Sequence, residues 1–82
     1  MSAKESQQSR RTLGDLRPRE SARVVSVRPG SAGRLRLLEL GLTPGTEVSV
    51  VRVAPMGDPI EVRVRGYHLA VSREDGCCVF CE

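Results

Sequence analysis

With 82 residues, 39% of them hydrophobic, the chain has material for one small domain, and a domain of that size buries only roughly 60 to 65% of its unfolded surface. The formal charge of +3 falls within residues 1–23, which hold six basic and three acidic groups, while residues 24–82 hold seven of each. A neutral folded part with one Tyr and one Phe lacks both the basic face and the stacking aromatics of nucleic-acid binders, so no nucleic-acid partner is expected.

No stretch approaches the roughly 18 consecutive apolar residues of a membrane span, and residues 1–11 have no apolar core like that of a signal peptide. A cytoplasmic protein without direct membrane insertion is therefore expected. Three cysteines, an odd number in a reducing compartment, argue against a disulfide framework. Eleven Val and eight Leu against two aromatics require an aliphatic core, and the β-branched excess favours strands.

Residues 1–11 are polar and are expected to form a disordered tail, leaving residues 12–82 as the folded domain. Leu13 and Leu16, three apart around Asp15, predict one helical or 3₁₀ turn that pins the start of that domain. Val24, Val25 and Val27 make residues 22–28 the first strand, ended by Pro29-Gly30. Leu35, Leu38 and Leu42 recur at the spacing of one helical face, predicting a short helix over about residues 32–41 with Ser31 as its N-cap. Gly41 can end it in a Schellman turn that folds Leu42 back on Leu37, and Pro44-Gly45 then fits a type II turn.

Val48 and Val50 share one face of the next strand, whereas Val51 and Val53 follow one residue out of phase, the mark of a bulge or of a strand buried on both sides. Residues 54–59 contain two prolines and form a loop. Ile60, Val62 and Val64 alternate with Glu61, Arg63 and Arg65, the pattern of a strand with one wet face. A bulge at Gly66 would keep Tyr67, Leu69 and Val71 on that apolar side and put His68 outside. Residues 72–76 read as a polar turn and residues 77–81 as a final strand. The sum is a mainly β fold, a small, partly open five-stranded barrel with one inserted helix. An SH3-like barrel is preferred over a Greek-key barrel of the oligonucleotide-binding type, although the aliphatic phase fits both.

Catalytic chemistry is not visible. His68, the one histidine, has no serine or acid tied to it by a recognisable motif, and the glycines match no phosphate loop, so the protein is read as no enzyme and as binding no cofactor. Cys78 and Cys81 have the gap of half a zinc site, with His68 or Cys77 as further ligands, but residues three apart on a strand face opposite ways and no second half-site is present. Met56 on the proline-flanked loop is the better candidate for a partner contact, because a rigid loop loses little entropy on docking.

The pieces Leu38-Glu39-Leu40-Gly41-Leu42, Pro44-Gly45-Thr46, Ala54-Pro55-Met56-Gly57-Asp58-Pro59-Ile60 and Gly66-Tyr67-His68-Leu69-Ala70, in that order and spacing, resemble the FeoA family of small cytosolic ferrous iron transport proteins. The resemblance covers residues 12–82. It implies an SH3-like fold and a non-catalytic accessory or regulatory role in bacterial Fe(II) uptake. The implied partner is the cytoplasmic GTPase region of the FeoB permease, which would recruit the protein to the inner membrane. Val71-Ser72 and Glu74-Asp75-Gly76 depart from the Leu-Arg pair and acidic-Ala segment common in the family, so no basic contact is carried over there. The expected partner surface is Met56 as an apolar contact and Asp58 as a polar one, with Gly57 and Pro59 fixing the loop. The alternative is a metal-sensing or metal-carrying module using the C-terminal cysteines. A monomer or weak dimer is expected, since a barrel of this kind leaves a strand edge free.

Overall fold

Alternating valines build one antiparallel sheet. The computed structural model describes residues 11–82, and within them the strands are β1 (Arg11–Thr12), β2 (Ser21–Val27), β3 (Glu47–Val53), β4 (Ile60–Val64), β5 (Tyr67–Val71) and β6 (Val79–Cys81), in the spatial order β1-β6-β2-β3-β4-β5. A 3₁₀ turn (Leu13–Asp15) follows β1, and two short helices, α1 (Arg34–Glu39) and α2 (Arg73–Gly76), lie in connections. The expected disordered tail falls, for residues 1–10, outside the described residues. Arg11, its last member, instead opens β1 opposite Cys81 and adds a sixth strand to the five expected.

β2 turns the sheet into a partly open barrel. Its first half, Ser21 to Arg23, pairs with β3, and its second half pairs with β6 across a register shift between Val24 and Ser26. A shift of that kind bends a strand so that one segment can serve two neighbours. The phase change read in β3 has the same origin: its ladder with β4 slips between Val50 and Arg52, which leaves Val48 and Val50 buried and turns Val51 out. The core is aliphatic throughout, with Leu13, Leu37, Leu42, Val48, Val62, Val79 and Cys81 fully enclosed. Leu13 and Leu16 do pin the start of the domain. Thr12 supports that turn, its N–H and hydroxyl both donating to Asp15 Oδ2 at 2.9 and 3.2 Å.

The helix ends as its sequence indicates. Leu42 N donates to Leu37 O at 3.1 Å and Gly41 N to Leu38 O at 3.0 Å, the paired bonds of a Schellman motif, with Gly41 at φ +107°. Thr46 N then closes the type II turn on Thr43 O at 3.0 Å over Gly45 at φ +90°. Its beginning and its buried face differ from expectation. Gly33 occupies the N-cap without a side-chain bond, while Ser31 Oγ donates backward to Arg28 O. Leu37 and Leu42 enter the core, Leu38 only packs against it, and Leu35 is 69% exposed. A helix of six residues can turn one narrow stripe inward, and the Schellman contact selects the stripe that contains Leu37.

Two further corrections lie near the C-terminus. Arg65 and Gly66, at φ 52° and 88°, form a two-residue turn that reverses the chain, so Val64 pairs with Tyr67, Val62 with Leu69 and Ile60 with Val71. A hairpin thus replaces the expected bulge. It still sets Tyr67, Leu69 and Val71 on the side of Ile60, Val62 and Val64, because directly opposed residues share a face. Within the expected polar turn, residues 73–76 form one turn of helix, capped by Ser72 Oγ accepting from Asp75 N at 3.0 Å. The helix takes up Cys77 as its C-cap, and the last strand begins only at Val79.

Candidate functional site

Residues 54–59 stand out from the end of the β3–β4 hairpin on a rigid base. Ala54 N donates to Pro59 O at 3.1 Å, and Gly57 N, at φ +86°, donates to Ala54 O at 2.7 Å. From this frame Met56 projects with 92% of its surface in solvent, the most exposed large apolar side chain among the described residues. At the base of the loop a groove is lined by Arg52, Val53, Ala54, Pro55, Pro59 and Glu61. Arg52 and Glu61 close one rim through an ion pair at 3.1 Å. An exposed pair of this type adds little to stability, but it fixes two long side chains beside the groove.

Asp58 has an internal role that its sequence position does not reveal. Its Oδ1 accepts from Arg73 N at 2.9 Å, which ties the loop to the start of α2. A Cβ placed on Gly57 would come to 4.0 Å from the Arg73 guanidinium, so Arg73 borders the loop as well. From α2 the contacts continue to α1: Asp75 Oδ2 lies 3.9 Å from Arg36, and a Cβ on Gly33 would sit 2.7 Å from Asp75 Oδ1. Loop 54–59, α2 and α1 therefore form one connected surface. Of the four residues expected there, Met56 and Pro59 are exposed, Gly57 is half-buried, and Asp58 spends one carboxylate oxygen on α2. Sequence reasoning missed Arg73, which looked like part of a solvated turn, and Leu35, which its spacing had assigned to a helical face shared with Leu42.

A second cluster locks α1 to the β4–β5 turn. Tyr67 Oη donates to Leu40 O at 2.9 Å, and Arg65 donates to the hydroxyls of Thr43 and Thr46 at 3.3 and 3.0 Å. These bonds satisfy a carbonyl at the helix end and hold the type II turn against the hairpin.

The candidate metal ligands stay apart. Cys78 Sγ turns back on Glu74 O, Cys81 Sγ faces the core, and His68 lies exposed on β5, four strands from β6 in the sheet order. Among the described residues no three His, Cys, Asp or Glu side chains converge as a metal-binding group. Burial pushes the Cys81 thiol from 9.0 up to about 11, the nearby Arg11 charge offsetting part of that rise. The folded protein thus holds this thiol neutral. Stability from that preference is intact below pH 9.0 and declines as pH climbs towards 11. Iodoacetamide at pH 8 is accordingly expected to label exposed Cys77 first and to leave Cys81 unmodified until the protein unfolds. Peptide mass spectrometry checks the order, and adducts on Cys81 of folded protein at a rate matching Cys77 would refute it.

Comparison with known proteins adds four findings. The FeoA domain model matches residues 11–82. A curated relative, the Fe(2+) transport protein A/Fe(2+) transporter FeoB fusion protein of Porphyromonas gingivalis, is 35% identical over 63 residues; the match takes in 77% of this chain but only 8% of that protein's length. Among solved structures, the FeoA-like protein of Clostridium acetobutylicum superposes with a TM-score of 0.84 at 30% identity, covering 89% of this chain and 85% of that one. The zinc-complexed FeoA of Stenotrophomonas maltophilia, described as an SH3 domain protein, superposes with a TM-score of 0.75 at 33% identity, covering 87% and 88%.

Proposed function

The chain belongs to the FeoA family of ferrous iron transport proteins, and on that footing we propose that it is a non-catalytic cytoplasmic accessory protein that docks on the GTPase region of a FeoB permease through loop 54–59. The fusion relative, which carries an FeoA segment and an FeoB transporter in one chain, supports association with FeoB. The observation that carries the choice of surface is Met56, 92% exposed on a loop whose backbone is already fixed by hydrogen bonds. An apolar side chain offered on a pre-ordered loop gains the full benefit of burial in a partner's pocket and loses little chain entropy. The Arg73 guanidinium beside the loop fits a pocket with an acidic rim. Leu35, exposed on the helix that Arg36 joins to α2, offers a second apolar side chain to a partner.

Titration of the ¹⁵N-labelled protein with the isolated FeoB GTPase domain tests the proposal. Resonance changes are expected at residues 54–59 and 73, and Met56→Glu is expected to weaken binding about tenfold or more by placing a charge in the apolar pocket. Changes confined to β1 and the loop at residues 17–20, with Met56→Glu binding as tightly as wild type, would sink the loop assignment.

A further inference from the structure

The sheet has two edges. At one end stands β1, of which Arg11 and Thr12 lie among the described residues. At the other, β5 runs for five residues in unbroken register with β4, with no proline, lysine or bulge between Tyr67 and Val71. The two-residue turn makes Val64 and Tyr67 a hydrogen-bonded pair, and strict alternation then directs the N–H and C=O groups of Tyr67, Leu69 and Val71 towards β4. Those of His68 and Ala70 point off the sheet. The same parity holds across β3, where Val50 sends its carbonyl to Arg19 N and its N–H to Glu20 O on the side away from β4.

We propose that β5 pairs antiparallel with β5 of a second copy about a two-fold axis through Leu69, joining the two sheets edge to edge. In that register His68 faces Ala70 of the second copy and Ala70 faces its His68. These are the residues whose backbone groups point outward, so the two pairs exchange four hydrogen bonds. The strand itself carries no Asp, Glu, Lys or Arg. On the outer face, charge is complementary across the joint: Arg63 lies beside His68 and Glu61 beside Ala70, so each row runs Arg63 and His68 from one copy into Ala70 and Glu61 from the other. Ala70 is small enough to let His68 reach across it towards that glutamate. A second copy supplies the matching register and the opposite charge without any additional element. This inference rests on the free edge of β5 rather than on the docking proposed for loop 54–59, although Glu61 borders both surfaces and would turn from Arg52 towards the joint.

Self-association through so short an edge is weak, with a dissociation constant on the order of 0.1 to 1 mM. Amide hydrogen exchange of the full chain reads it directly. Between about 50 μM and about 2 mM protein, the His68 and Ala70 amides are expected to slow about threefold by mass action, while Tyr67, Leu69 and Val71 are protected equally at both concentrations. Ala70→Pro removes only an outward-facing N–H and spares the ladder to β4, so it is expected to weaken association, measured by sedimentation, about tenfold or more. Ala70→Lys, which keeps the backbone donor, is expected to act in the same direction and serves if the proline variant is poorly folded. Exchange at His68 and Ala70 that does not change with concentration would overturn the proposal. So would an undiminished dimer in a folded Ala70 variant, or protection that appears only when a FeoB GTPase domain is added.

Discussion

Leu42→Ala is expected to destabilise the protein by about 3 kcal/mol, whereas Leu35→Ala, on the adjoining helix, changes stability by less than about 0.5 kcal/mol. Leu42 is completely enclosed and sits at the junction of helix, turn and sheet, where its N–H also closes the helix on Leu37 O. Removing its side chain leaves a void bounded by a backbone that the Schellman bonds hold in place, so the site cannot collapse to fill it. Leu35 projects into water and gives up almost nothing. For a chain of 82 residues, with a urea m-value near ~1 kcal/mol/M, the Leu42→Ala midpoint falls by about 3 M. Equal midpoints for the two variants would show that the helix buries the other stripe, the one containing Leu35.

This pair also marks how far the sequence could be read. Period-two alternation in residues 60–64 and the turn residues Gly41, Pro44 and Gly45 each encode one local conformation, and each is found where its chemistry demands it. The inward stripe of α1 is not encoded in that way, because leucines at 35, 37, 38 and 40 supply two competing helical faces. The choice falls to tertiary contact, through Tyr67 on the Leu40 carbonyl and Leu42 on Leu37. Gly66 failed as a bulge for a related reason. A residue with positive φ serves a bulge or a tight turn equally well, and what decides is Arg65, whose φ of 52° has no signature in its side chain. In the candidate site the exposed Met56 was legible from its flanking prolines. The bond from Asp58 to Arg73 was not, since it joins loop to helix across 15 residues that no periodicity links.

Gly41→Val is expected to cost about 3 kcal/mol and to lower the melting temperature by about 15 °C. Two separate penalties combine there. The first is conformational: at φ +107° a β-branched side chain collides with its own backbone, and the strain can be relieved only by giving up the bonds from Gly41 N and Leu42 N that end the helix. The second is spatial. A Cβ at this position would lie 3.3 Å from Arg65 Cδ and 3.5 Å from Tyr67 Oη, the two side chains that clasp the helix end and the type II turn to the β4–β5 hairpin. Displacing them releases the Leu40 carbonyl and the Thr43 and Thr46 hydroxyls together, so the damage spreads to every element meeting at that corner. Gly30 separates the two penalties, because it has φ +82° with nothing within 4 Å of a built Cβ. Gly30→Ala therefore measures strain alone, about 1 kcal/mol, and the excess of Gly41→Ala over it measures the clasp. If the two alanine variants melt at the same temperature, Arg65 and Tyr67 yield freely, and the corner is held by the backbone rather than by their side chains.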